Sequence, residues 1–276
     1  MPNSVRRTSD CVSGSPNWRP SSRRPSMDNE YAQWVYAVRR GEVPPPAATG
    51  VCGETVRCIH AAGLTAVVGA VPLADFDSDA LQRNLNDFDW LAAAARAHHA
   101  VVEAASAGRP VIPVRLAVLC RDDEGVRRLL IERESDFRSA LDLVDGRAEW
   151  GVRAYVRPAE PDPEPARPTS GADYLRERRD SLRRHRSERE AAELAASGMY
   201  RVLCRHAVAA RCRPTTETVH TGRRGPLVLN ATYLVDNTEA TGFLSTAEQF
   251  DENELLTIER SGPWPPYTFV GAAGDL

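Results

Sequence analysis

Lysine is absent from this chain: all 35 basic residues are arginine. Arginine's planar fork suits phosphate and carboxylate recognition. Against 38 acidic residues, however, it leaves a net charge of −3 and a pI near 6.1. That balance announces neither a nucleic-acid nor a membrane partner. With Ala, Pro and Gly abundant, GC-biased coding is the simpler source of the arginine. Long hydrophobic runs are missing too, since no stretch of about 18 apolar residues is present to span a bilayer. Residues 1–26 are rich in Ser, Pro and Arg and lack the apolar core of a secretory leader. The expectation is a soluble, intracellular protein in which residues 1–29 form a disordered extension. Its six cysteines (Cys11, Cys52, Cys58, Cys120, Cys204 and Cys212) are then expected as reduced thiols.

Catalytic signatures are equally scarce. The chain contains no Walker loop, no G-x-G-x-x-G and no G-x-S-x-G elbow. Cys52, Cys58 and His60 form one group of ligand-type residues, and Cys204, His206 and Cys212 another. Neither has the close Cys pair that aims two thiolates at one tetrahedral zinc. His98 and His99 are adjacent, so on a helix they diverge by about 100°. His99 falls on the apolar stripe and is expected to pack in the core. Asp87 and Asp89 flank Phe88 on a helix surface, and Asp122, Asp123 and Glu124 suit a first helical turn, where acidic side chains favour the macrodipole. No metal, no cofactor and no catalytic set is expected. An Arg-rich helix offers a weak basic face for nucleic acid, but its interleaved Glu residues cancel much of the field.

What the sequence does contain is enough apolar residue for a core, 42% hydrophobic against 26% charged. β-branched and aromatic clusters predict strands at 33–38, 64–71, 110–120, 150–156 and 227–235, with shorter extended pieces at 215–221, 255–259 and 267–270. Pro113, lying inside 110–120, offers no N–H and places that strand at an edge or a bulge. Apolar spacing predicts a helix over 79–107, capped by Ser78 and striped by Leu81, Leu85, Phe88, Ala92, Ala95, His99 and Val102. Further helices are predicted over 123–144, 172–212 and 238–250. Proline crowds 158–170, which reads as a loop or linker. From Trp150 the order is β-α-β-β-α-β, as in ferredoxin-like folds. The expected class is α+β with two domains. Residues 30–147 form an N-terminal α+β domain. Residues 148–270 form a ferredoxin-like domain with a long charged helix and the Pro-rich loop 158–170, and 271–276 form a tail.

Several segments, in order, carry a resemblance. They are Trp34 to Val38, Asn84 to Leu91 leading into Ala95 to His98, Val111 to Arg115, Gly146 to Val152, and Tyr174-Leu175 before the charged helix. Leu227 to Asp236 and Gly262 to Val270 complete the set. Together they cover about residues 31–270, and Glu149-Trp-Gly-Val152 with Gly262-Pro-Trp-Pro-Pro-Tyr267 is the most specific combination. The chain resembles the gas vesicle proteins GvpF and GvpL. Where that family usually has Glu after the helix histidine, this chain has His99, and where it commonly reads Phe-Gly, this chain has Leu116-Ala117.

The resemblance implies a cytoplasmic assembly protein or minor component of the gas vesicle, with no catalytic residue. It implies binding to the shell protein GvpA, or to other accessory Gvp proteins, during nucleation and growth. A scaffolding protein without GvpA contact is the alternative, and a ferredoxin-like oxygenase the remote one. A shell subunit with an apolar face needs its exposed strands covered before assembly. Trp264, Tyr267 and Phe269, with the strand edge near Pro113, are the expected binding residues, because aromatics dominate interface hot spots. The competing reading is that these aromatics close the C-terminal core.

Overall fold

The structure is a computed structural model and describes residues 31–76, 78–158, 170–215, 225–271 and 274. Two antiparallel sheets organise them. The first is built around β1 (Tyr31–Arg40), an almost unbroken apolar run that is buried on both faces. β3 (Leu64–Pro72) pairs along one side of it, with β2 (Arg57–Ala61) outside β3. The other side of β1 takes two short strands, β4 (Ile112–Pro113) and β5 (Leu119–Cys120).

The predicted strand 110–120 is therefore interrupted. Pro113 cannot donate to a ladder, Ala117 turns to φ 68°, and only the two ends pair with β1. Pro113 lies at the sheet edge, as its missing N–H requires. The strand β2 is not legible in the sequence because its hairpin turn contains Ala62 at φ 50°, where Asn or Gly would have advertised the turn.

Helices cover both faces of this sheet. On one face lie α1 (Leu73–Phe76), α2 (Ser78–Asn86) and α3 (Phe88–Ser106), with Phe76, Val101, Val102 and Ala105 packed on Trp34 and Tyr36. On the other lie α4 (Asp123–Glu132) and α5 (Glu134–Val144), with Val126, Leu130, Phe137 and Leu141 packed on Val35 and Val38. The helix predicted over 79–107 is broken at Asp87, whose carboxylate accepts from the Asp89 and Trp90 amides and caps α3. Asp87 is thus a cap rather than a helix-surface residue. The break also resets the helical phase. Phe88 is 86% exposed, and the buried histidine is His98, not His99. The cap predicted at Ser78 lies outside the described side chains. The helix over 123–144 also breaks, at Arg133, there without a side-chain cap.

The hydroxyl of the fully buried Tyr36 donates to Glu54, whose other carboxylate oxygen accepts from the Cys52 amide at 2.8 Å. A Cβ on Gly69 of β3 would overlap that carboxylate. Gly69→Ala is expected to cost about 2 kcal/mol as the Tyr36–Glu54 bond is displaced. A urea midpoint unchanged from the native protein would show that Glu54 moves aside freely.

The second sheet runs β7-β8-β6-β9 in space, formed by β6 (Arg147–Val156), β7 (Ala209–Cys212), β8 (Leu227–Asp236) and β9 (Leu256–Trp264). α6 (Gly171–Leu203) and α7 (Ala240–Glu248) cover one face, so the chain order is β-α-β-β-α-β. Only the last third of α6 packs, through Ala192, Ala196, Met199 and Leu203. The helix predicted to 212 stops at Leu203. A 3₁₀ turn, Cys204–His206, leads into β7, where pairing with β8 overrides an Ala-rich stretch that locally reads as helix. The strand predicted over 215–221 lies, apart from Thr215, outside the described residues. So do nearly all of the Pro-rich loop and all of residues 1–29. The segment 267–270 is a turn rather than a strand.

Candidate functional site

The two sequence segments that carry most of the resemblance meet in space. β6 and β9 pair so that Glu149 opposes Trp264 and Gly151 opposes Ser261, with a register shift between them. The contact is close enough to dictate glycine. A Cβ on Gly262, which holds φ 126°, would lie 2.8 Å from the Glu149 carbonyl oxygen and 3.0 Å from the Trp150 ring. A side chain is disfavoured there on both conformational and steric grounds.

Beyond Trp264 the chain leaves the sheet through Pro265 and Pro266. The Tyr267 amide donates back to the Pro265 carbonyl (2.8 Å) and the Phe269 amide to that of Pro266 (3.2 Å). The buried carboxylate of Glu149 fixes this turn. It accepts from the Thr268 amide and from Thr268 Oγ1, both at 2.7 Å. Burial raises the Glu149 pKa, while the Thr268 bonds, Arg213 and Arg211 oppose the rise. Phe269 is buried under the Arg211 guanidinium (6.0 Å to the ring centroid). Val270 enters the core of the first half. The Gly274 carbonyl then accepts from the Arg115 amide at 3.2 Å, so Gly274 lies at the sheet edge next to Pro113.

The four expected binding residues therefore divide. Pro113 and Phe269 are buried and serve packing. Trp264 (43% exposed) and Tyr267 (36% exposed) remain accessible and face α3. His99 joins them: its ring centroid lies 5.5 Å from that of Trp264, edge-on, and 6.0 Å from that of Tyr267. Its Nδ1 is 3.3 Å from the Tyr267 hydroxyl. Burial raises the Tyr267 pKa, with the Glu149 charge adding to it, so the phenol stays neutral at physiological pH.

Of these three rings, Trp264 lines a groove of about 320 Å³ between the two halves. Trp264 and the prolines on either side of it form one wall, and Glu103, Arg109 and Arg147 supply charge on the other. The lining offers flat apolar surface and a polar rim, which suits a polypeptide segment held by aromatic anchors. Among the described residues, no group of three or more His, Cys, Asp or Glu is placed to hold a metal ion. His206 instead contacts Thr246 at 3.1 Å, and His60 contacts Thr65 at 2.7 Å. Sequence reasoning missed Glu149, Thr268 and His99 as the groups that place the aromatics. Both segments stand out in the sequence, but nothing local in either specifies that they touch.

The family model described as "Gas vesicle synthesis protein GvpL/GvpF" matches residues 32–271. Gas vesicle protein L of Streptomyces sp. (strain CB03234) is 41% identical over 257 residues, covering 90% of this chain and 96% of that protein. Gas vesicle protein F of the same strain is 27% identical, covering 86% of this chain and 98% of that protein. The crystal structure of GvpF from Anabaena sp. PCC7120 superposes with a TM-score of 0.59 at 18% identity, over 87% of this chain and 96% of that one. GvpF from Microcystis aeruginosa gives 0.60 at 14% identity, over 87% and 98%. These two structural matches establish a shared fold.

Proposed function

We propose that this chain, which belongs to the gas vesicle synthesis protein GvpL/GvpF family, is a cytoplasmic assembly factor that binds the shell protein GvpA or other accessory Gvp proteins. It acts by covering a client surface rather than by catalysis. The C-terminal half, with its β-α-β-β-α-β order and four-stranded antiparallel sheet, is read as a ferredoxin-like domain. Residues 30–147 are read as a separate domain packed against it.

The observation that carries the binding role is the half-exposed pair Trp264, which lines the groove, and Tyr267, which stands on the turn pinned by Glu149 and Thr268. Two accessible rings, one of them lining the groove, supply apolar area for a client. Aromatic side chains held in place in this way lose little conformational entropy on binding and make effective anchors.

The test is co-expression of the full chain with a GvpA-type shell protein, measuring how much GvpA stays soluble and co-purifies. Retention of soluble GvpA is expected, with Trp264→Ala and Tyr267→Ala each weakening capture about tenfold or more. Variants that keep their melting temperature and capture GvpA as the native chain does would remove the aromatic groove from the reading. A folded chain that captures no GvpA would shift the client to another accessory Gvp protein.

A further inference from the structure

Two exposed surfaces elsewhere in the molecule complement each other. The first is the corner where α1, α2 and α3 meet. Asn84 Nδ2 donates to the Asp75 carbonyl (3.1 Å), and the Asp87 amide donates to the Asn84 carbonyl (3.1 Å), tying the helix ends together. Phe88, the first residue of α3, stands almost fully out of the surface there, with Leu73 and Leu85 also exposed. Asp75 and Asp79 stand in the first turns of α1 and α2, Asp87 caps α3 and Asp89 follows Phe88, and Arg83 is the one arginine between residues 73 and 89.

The second surface is the projecting part of α6. The helix has 33 residues, about 50 Å of length, yet its buried residues begin only at Ala192. Upstream, Leu175 (68% exposed) and Leu182 (59% exposed) lie seven residues apart and so share a face. At roughly 100° per residue, Arg178, Arg179, Arg186 and Arg189 fall within about 60° of Leu182 around the axis, and the last three also pair with Asp180, Glu190 and Glu193 of the same helix. Residues 174–190 contain seven arginines against four acidic residues, so the segment keeps a net positive charge. Two such faces laid against each other would bring arginines onto arginines, which disfavours symmetric pairing through this helix. An apolar site with an acidic rim is the surface that matches it.

We propose that the projecting part of α6 on one copy docks, through Leu175, Leu182 and their flanking arginines, onto the acidic Phe88 corner of a second copy. Because donor and acceptor surfaces differ, the contact is heterologous. Each bound pair still presents one free helix and one free corner, so association runs head to tail. This self-association is separate from the aromatic groove and does not depend on which client the groove takes.

Sedimentation velocity on the full chain at rising concentration tests it. In about 50 mM salt the native chain is expected to form species larger than a dimer, with affinity at least tenfold lower in about 500 mM salt. Phe88→Ser and Leu182→Ser each replace an exposed residue, so the melting temperature should hold while self-association falls at least tenfold. The deciding measurement mixes the two variants in equal amounts. One supplies an intact helix and the other an intact corner, so a capped dimer is expected and nothing larger. A native chain that stays monomeric, variants that associate as the native chain does, or a mixture with no dimer would each overturn the proposal.

Discussion

Replacing His98 with leucine is expected to lower the unfolding free energy by about 3 kcal/mol, despite placing an apolar residue in an apolar surround. His98 is almost wholly buried on α3 and bridges two other elements. Trp34 Nε1 on β1 donates to its Nδ1 at 3.0 Å. Indole can only donate, so Nδ1 accepts, and the ring proton sits on Nε2, which donates to the Val114 carbonyl at 2.9 Å. Leucine would leave a buried indole N–H and a buried carbonyl without these partners, and each such loss costs about 1–3 kcal/mol.

The same geometry sets a pH dependence. Burial pushes the His98 pKa down to about 4, since the protonated ring would be charged in the core. The unfolded chain titrates near 6.5 and so binds the extra proton between the two values. The contribution is complete above about pH 6.5 and is lost as pH falls towards 4, by about 3 kcal/mol in total. Urea denaturation of native and His98→Leu proteins at pH 7.5 and at about pH 4.5 separates this histidine from the carboxylates, because only the native chain carries the His98 part. Equal acid sensitivity in the two proteins would refute the assignment.

Removing the Glu149 carboxylate should be nearly as damaging. Glu149→Ala is expected to cost about 3 kcal/mol, because two hydrogen bonds to a charged acceptor are lost and the Thr268 amide is left without that acceptor. Glu149→Gln, which keeps one carbonyl oxygen, should cost about half as much. The effect should also be local. Hydrogen exchange at the Thr268 and Phe269 amides should accelerate more than exchange in β1, because the turn carrying Tyr267 and Phe269 is released before the sheets open. Acceleration spread evenly over both halves would mean that Glu149 supports global stability alone. Since Tyr267 sits on the released segment, Glu149→Ala should also reduce capture of the client at temperatures where the protein remains folded.

Much of this molecule is legible in its residues because the signals are local. The run Leu227 to Val235 is mostly apolar, with Val228, Thr232 and Val235 β-branched, and it becomes all of β8 but its last residue. The segment 64–71 is almost continuously apolar instead of alternating, and it becomes most of β3, which is buried on both faces. The turn chemistry of Gly262 to Pro266 marks a special backbone, and the structure places it against Trp150. Other signals are ambiguous for identifiable reasons. Periodicity across 79–107 looks continuous, yet Asp87 satisfies the free amides of a new helix start, and one cap is enough to turn Phe88 outward and His98 inward.

The sequence by itself determined the family, the α+β class and the β-α-β-β-α-β order of the second half, and it marked out the Gly262 to Val270 segment. These depend on residue type and short-range spacing, which fix local backbone preference and side-chain direction. Only the tertiary structure decided which aromatics stay accessible, which histidine is buried, and that Glu149 holds Thr268 across 119 positions of chain. Those outcomes depend on long-range contacts, in which a buried polar group finds its partner wherever the fold brings one, and no local pattern encodes that meeting.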